Sequence, residues 1–556
     1  MTSTQVATHQ AITRTQAPVA PRRAHTPRAS WAAGALIVLL AAVIRLWGLP
    51  GQPVLYFDSG VYLGEGAFLA SAAQRAATAL ATSGSAGPLQ RVAEATAQGT
   101  DAHPPDIAKP GHALLVAASM LLLGKTAFAG TIVSALSGIG TVAATYALGM
   151  HGWGPRVAIP AALFLAVSGQ HLVYSREPLV EADGLFFATL GSLLYVRARR
   201  TRGLLLAGVV FGLAFTCNNR IGYLPVVLFI AELAHWAGWR HLVKRGVLIG
   251  LGFAAPLAVI EAAYLVARAV GRGAGVPTEF LDYGQQLAAF ARMNAPDRWR
   301  PDEWPTYFVD LGLMDGLVVL GLFVIGIVLV VVQLRHVGRL RRIDMLLAGS
   351  LLVPLALYSV YSTGEVRMRH FSLAIPWVML AAALALAALA RLAGRRRDLV
   401  LGAATAIICA LALPRVVALD SAPNGMPAVV AAVGSGPVAG TNGPVLAFYV
   451  GEDRSNARLR EAFVNVPSDL STLAGNYPTL VVDMQAYLFP GVLIDRYDRA
   501  PARLTVPHGN DAWYLADLLE HFGFDWGSWN DLLATWAAHR DQATQLRVYD
   551  IHDLLQ

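Results

Sequence analysis

Long apolar runs dominate this chain and constrain its fold more than any other feature. They lie near 31–48, 127–149, 155–172, 180–196, 203–219, 222–236, 247–267, 314–334, 343–361, 370–390 and 399–414. A helix needs about 20 apolar residues to cross the hydrocarbon core of a bilayer. Inside lipid, every backbone N–H and C=O must be satisfied within its own segment, which favours helices. The expected fold is therefore a multi-pass α-helical membrane protein with about eleven transmembrane helices. Composition agrees: 55% of the residues are hydrophobic and only 14% are charged, against about 25% charged in a soluble domain. Mean hydropathy is +0.50. These values exclude a soluble enzyme, a disordered chain and a fibrous protein. The net charge is +7, but the basic residues sit in short clusters beside apolar runs. That pattern sets membrane topology, so no nucleic-acid partner is expected. Cys217 and Cys409 both fall inside apolar runs, which predicts buried thiols and no disulfide framework.

The run 111–124 is shorter, bounded by Pro110-Gly111 and Gly124-Lys125, and reads as interfacial or re-entrant. Leaving it out of the count places Arg197, Arg199, Arg200 and Arg202, then Arg335, Arg339, Arg341 and Arg342, then Arg391, Arg395, Arg396 and Arg397 on one side. Counting it would move most later clusters outside, against the positive-inside bias. The N-terminus is thus expected in the cytoplasm and the C-terminus outside, in the cell membrane. Residues 1–30 read as a disordered cytoplasmic tail, 31–415 as the transmembrane domain, and 49–126 as a first outer loop with interfacial helices. Residues 416–556 differ, with eight basic and sixteen acidic residues. Strand-like runs at 445–450, 479–482 and 546–549 alternate there with helical patterns near 456–463, 511–521 and 527–539. This predicts a small extracytoplasmic α/β domain.

Ionisable residues gather at the outer ends of the spans. Asp58 follows the first span in Tyr56-Phe57-Asp58-Ser59-Gly60-Val61-Tyr62. An acid so near the hydrocarbon boundary loses hydration and becomes a candidate for proton transfer, although Asp58 also suits a helix N-cap. The loop ends His103-Pro104-Pro105-Asp106-Ile107-Ala108-Lys109-Pro110-Gly111-His112. Its prolines fix the chain and present Lys109 and two imidazoles, either to a lipid-linked phosphate or to headgroups. In Ser175-Arg176-Glu177-Pro178-Leu179-Val180-Glu181-Ala182-Asp183, three acids exceed what a helix N-terminus needs. Glu181 and Asp183 stand where an apolar run has begun, a depth at which acids usually face a cavity. Arg220, Arg367, Arg369 and His370 add cations at two further outer ends, suited to a departing phosphate or to headgroups. A carboxylate base, cations for a phosphate and an apolar groove are what sugar transfer from a polyprenyl-phosphate carrier needs. A transporter shows the same inventory.

The order of these motifs resembles the GT-C superfamily. The chain is most similar to glycosyltransferase family 39, the protein O-mannosyltransferases and lipid A aminoarabinose transferases. The resemblance rests on one acid after the first span, the His-Pro-Pro and Lys-Pro elements, and Ser175-Arg176 separated by six residues from Asp183. It extends over residues 30–230 and to Arg369-His370-Phe371-Ser372-Leu373-Ala374-Ile375-Pro376. It implies Asp58 as general base and Asp183 as a second acid shaping the site. It implies Lys109, Arg220 and Arg369 as phosphate contacts, with Tyr62 and His103 at matching positions. Asp58 is followed by Ser59 where the family often has glutamate, leaving Glu65, Glu177 or Glu181 to supply that acid. No carbohydrate-binding repeat is legible in the tail.

The expected function is inverting transfer of a sugar from a polyprenyl-phosphate donor to an extracytoplasmic acceptor, a glycan, lipid or protein. Tyr62, His103, Lys109, Arg176, Glu181, Arg220, Arg367, Arg369 and His370 are the expected substrate contacts. An O-antigen-type polymerase or ligase is the alternative enzyme, with Arg292, Asp297, Arg298, Arg300, Asp302 and Glu303 in its favour. A lipid-linked-sugar transporter is the alternative of another class, although no paired halves are visible. The sequence points to no certain cofactor. A divalent cation on His103, His112, Asp106 or the 177–183 acids stays open, since no ligand spacing is diagnostic.

Overall fold

The structure, a computed structural model, describes residues 28–82, 109–273, 282–293, 305–335, 341–360, 368–434, 436–450, 470–488, 494–520 and 529–555. Each of the eleven long apolar runs falls on helix in the described residues. Five stretches are long and apolar enough to cross a membrane: Arg28–Gly51, Ala127–Gly152, Trp239–Ala269, Leu317–Leu334 and Ile375–Asp420. The pair Pro155–Ala166 and Gly169–Arg176, bent by 56°, makes a sixth if read as one span. The stretch Ile375–Asp420 holds two of the expected spans. At Gly394 the backbone adopts φ 55° and the chain folds back. Its two far ends therefore return to one face, where Arg369 pairs with Asp58 and Asp420 pairs with Arg176. The remaining expected spans are shorter or more polar helices, among them Thr201–Cys217 and Leu224–Ala234. Length and composition alone thus support fewer full crossings than eleven.

Two packing devices fix the helices around the polar end. Gly208 and Gly212, four residues apart, let the Thr201–Cys217 helix lie directly on the backbone of the Trp239–Gly273 helix. A Cβ on Gly208 would fall 2.3 Å from the Ile249 carbonyl oxygen, and one on Gly212 2.3 Å from that of Phe253. Small residues at this spacing allow close helix approach in lipid, where hydrophobic burial offers no driving force. The second device is the bend before Gly169. Ser168 caps the short Gly169–Arg176 helix by accepting the His171 amide at 3.1 Å, and so delivers Arg176 and Glu177 to the polar end.

The helix Pro110–Leu123 has 14 residues and spans about 21 Å, less than the ~30 Å hydrocarbon core. It packs along the helix Phe57–Thr82 through Val116, Ala117 and Met120 while Leu121, Leu122 and Leu123 face outward. The C-terminal region carries a four-stranded sheet: β1 (Val438–Gly440), β2 (Thr479–Val482), β3 (Leu504–Pro507) and β4 (Gln545–Asp550), in the order β1-β2-β4-β3. β1 and β2 are parallel, and the other two pairings are antiparallel. The apolar runs 479–482 and 546–549 are strands as expected. The run 445–450 is not: it belongs to the helix Gly443–Val450. Pro444 suits a helix's first turn, and the segment packs on the Phe57–Thr82 helix. There Gly60 comes so close that a Cβ would lie 2.3 Å from the Val445 nitrogen. The helices Asp511–Glu520 and Trp529–Ala543 form where helical patterns were read, and 456–463 lies outside the described residues. The sheet shares one core with the segment that follows the first apolar helix, through Val54, Leu63, Val445, Val481 and Val548.

Candidate functional site

Six separate parts of the chain bring charged side chains together at one end of the helices. Asp58 stands in the first turn of the Phe57–Thr82 helix, its side chain 32% exposed and paired with Arg369 Nη1. Arg369 lies on the short helix Met368–Ser372 and donates from Nε to Glu520 Oε2 at 2.8 Å. Glu520 ends the C-terminal helix Asp511–Glu520 and is wholly buried. Its other oxygen accepts the Tyr174 hydroxyl. Burial opposes the charge on Arg369, but Glu520, Asp58 and Glu181 outweigh it and hold the guanidinium's pKa above its ordinary value.

Lys109 precedes the Pro110–Leu123 helix, where Pro110 at the first position needs no amide partner. It is buried and donates to the Tyr62 hydroxyl. Burial first, then the Arg220 charge, lowers its pKa to about 8, while Glu181 and Asp58 work the other way. Gly111 lets this helix reach the end of the Thr201–Cys217 helix. A Cβ there would sit 2.8 Å from the Thr216 carbonyl carbon, so only glycine fits. His112 meets Tyr62 edge to face at 5.2 Å between ring centres, and its Nδ1 lies 2.6 Å from Asp183 Oδ2. The second Asp183 oxygen accepts from Ser137. Glu181, two residues earlier, pairs with Arg220 Nη1 at 3.1 Å. Tyr358 donates to the Arg220 carbonyl at 2.6 Å and stacks on His370 at 5.3 Å.

Asp58, Tyr62, Lys109, Glu181, Asp183, Arg220, Arg369 and His370 therefore form one cluster. Arg176 lies outside it. Its guanidinium is fully buried and donates to the carbonyls of Ile44, Arg45 and Trp47, to Gln52, and to Asp420 at 3.2 Å. Arg176 thus bolts the first helix to the last apolar one, with its guanidinium wholly buried among these partners. His103 and Arg367 lie outside the described residues. Glu177 fills the place behind Ser59: it accepts the Leu55 amide at 3.0 Å. Burial raises its pKa to about 8, against the opposing pull of Ser59, the Leu55 amide and Arg176.

The sequence reading missed three contributors. Glu520 ends an amphipathic helix in an acidic tail, with no local feature to distinguish it. Tyr174 follows directly on the apolar run 155–172 and looks like core. Asp310, on the helix Thr306–Asp315, is 1% exposed, and neither carboxylate oxygen has a partner among the described residues. Burial, and then the Glu520 charge, raises its pKa. Its only sequence signal is an acid inside an otherwise apolar turn. Among the described residues no group of three or more His, Cys, Asp or Glu side chains is gathered for a metal ion.

The arrangement can hold an anion among Lys109, Arg220 and Arg369 and present the partly exposed Asp58 beside it. A family model described as Dolichyl-phosphate-mannose-protein mannosyltransferase matches residues 102–263, the stretch carrying Lys109, His112, Glu181, Asp183 and Arg220. A search of curated protein sequences finds no match. Among solved structures, ArnT from Cupriavidus metallidurans in the apo state superposes with a TM-score of 0.52 at 14% identity, over 85% of this chain and 96% of that one. The same protein bound to undecaprenyl phosphate gives 0.53 at 15%, over 82% and 94%. The oligosaccharyltransferase of Archaeoglobus fulgidus in its apo form gives 0.53 at 12%, over 82% and 70%.

Proposed function

Taking the chain as a membrane protein of the GT-C glycosyltransferase superfamily, we propose that it moves a sugar from a polyprenyl-phosphate carrier to an extracytoplasmic acceptor with inversion. The observation that carries this reading is the meeting of Asp58 with Arg369, beside Lys109 and Arg220, at one end of the apolar helices. The likeness to a structure holding undecaprenyl phosphate supports the carrier class. The positive-inside bias supports an arrangement with the site and the C-terminal region outside and the N-terminus in the cytoplasm.

The three cations would bind the donor phosphate and stabilise it as it leaves. The phosphate competes with Asp58 for Arg369, so donor binding frees the carboxylate from its ion pair. Asp58 then takes the acceptor hydroxyl's proton as the acceptor oxygen bonds to the anomeric carbon. The bond from that carbon to the phosphate oxygen breaks, and polyprenyl phosphate leaves with the electron pair. Asp183 has both oxygens engaged, so it acts as a positioning residue, fixing His112 and through it the Tyr62 ring against Lys109.

The direct test supplies the purified protein with polyprenyl phosphate carrying labelled mannose, arabinose or aminoarabinose, together with envelope extract as acceptor. Transfer or slow hydrolysis of one donor is expected. Failure with every donor under conditions where each binds would overturn the reading.

Lys109 adds a pH dependence. Its ammonium is present below a pKa of about 8 and is lost above it, so donor affinity should weaken as pH rises through that value. Lys109→Arg keeps its charge throughout and should lack this limb. Glu177 titrates in the same window, so the readout is the difference between the two proteins' KM profiles. Superimposable profiles would remove Lys109 from the phosphate site.

A further inference from the structure

The far end of the helices holds a second polar site that sugar transfer does not use. A cavity of about 410 Å³ opens between the ends of the Ala127–Gly152 and Ile375–Ala390 helices and the starts of Pro155–Ala166 and Arg397–Asp420. The helix Ile375–Ala390 has 16 residues, so its length separates this cavity from the Arg369 end by about 24 Å.

Four arginines line the cavity: Arg156, Arg341, Arg391 and Arg397. Two acids answer them. Asp398 is shared, 2.7 Å from Arg156 Nε and 3.8 Å from Arg397 Nε, and Asp344 takes Arg341 at 2.8 Å. Arg391 makes no ion pair among the described residues. The cavity therefore keeps a surplus of positive charge, all of it on guanidinium groups, whose planar forks match phosphate oxygens. The side chains of Arg156 and Arg397 are about half exposed, so their free N–H groups are open to a ligand, whereas Arg341 spends each of its guanidinium nitrogens on Asp344 or the Gly152 carbonyl.

The floor is apolar, formed by Leu384 and Leu401. Beside it, Leu392 and Leu399 project outward at 85% and 72% exposure. A soluble phosphate would gain nothing from these surfaces, whereas acyl chains would cover them. We propose that this cavity binds the phosphate headgroup of an anionic phospholipid from the leaflet opposite the transferase site, with its chains against the exposed leucines. The site stands independently of the sugar-transfer reading.

Native mass spectrometry of the full chain, purified in mild detergent, tests it with phosphatidylglycerol and phosphatidylcholine of the same acyl chains. The wild type should retain phosphatidylglycerol with a preference of about fivefold or more, as befits two or three charge-assisted contacts. Arg391→Gln with Arg397→Gln should bring the two lipids to near-equal retention. Leu384→Trp, which fills the floor and leaves every charge in place, should do the same and decides the matter if the double variant fails to fold. Equal retention of both lipids by the wild type, or an undiminished preference in Leu384→Trp, would overturn the proposal. Displacement of bound phosphatidylglycerol by millimolar inorganic phosphate would also overturn it, by making the ligand a soluble anion.

Discussion

Asp58→Asn should leave a folded, membrane-embedded protein that transfers sugar roughly a thousandfold more slowly, the range a positioned general base supplies. The amide keeps the side chain's volume and can still accept from Arg369, so the cluster should hold its shape. What it loses is the carboxylate that receives the acceptor's proton. Turnover of labelled donor by the wild type and the variant, at matched protein and donor occupancy, measures the loss. Donor binding should persist or tighten, because Arg369 no longer divides its charge between Asp58 and the phosphate. Turnover within a few-fold of wild type would end the assignment of Asp58 as base.

Glu520→Gln should be the other large effect, and it would come from a residue some 460 positions away from Asp58 in sequence. Glu520 is wholly buried, holds Arg369 Nε at 2.8 Å and accepts from Tyr174. Removing one partner of a buried ion pair costs about 3–5 kcal/mol. Asp58 still partners Arg369 here, so the low end of that range applies. The amide should also let Arg369 close fully onto Asp58, raising the donor's KM more than it lowers kcat. A merely structural role would instead lower the melting temperature and leave the KM of the surviving enzyme unchanged. Glu520→Asp should restore part of the charge and part of the KM, and unchanged donor KM in Glu520→Gln would refute the positioning role.

The sites differ in how far local sequence reveals them. Asp58, Lys109, Glu181, Asp183, Arg220 and Arg369 were visible because each is a charged residue at the end of an apolar run, where hydration is lost and a charge needs a reason. Their pairing was not visible. Nothing local says that His112 serves Asp183, or that Arg220 serves Glu181. Arg176 shows the opposite failure. It has the sequence context of a site residue, yet the bend before Gly169 turns it inward onto three backbone carbonyls, Gln52 and Asp420. The segment 445–450 has a strand's composition, but Pro444 and its packing against Gly60 make it helix.

By itself, the sequence determined that this chain is helical and membrane-embedded. Apolar runs cannot stay in water, and their backbone cannot enter lipid unbonded. It also determined which charges sit at the boundary, since the position of each relative to its run is a local property. Only the tertiary structure decided which of those charges meet. It folded the chain back at Gly394, brought the C-terminal helix over the polar end and set Glu520 against Arg369. An acid buried by partners hundreds of residues away carries no mark in its own neighbourhood, because burial and pairing belong to the packed assembly.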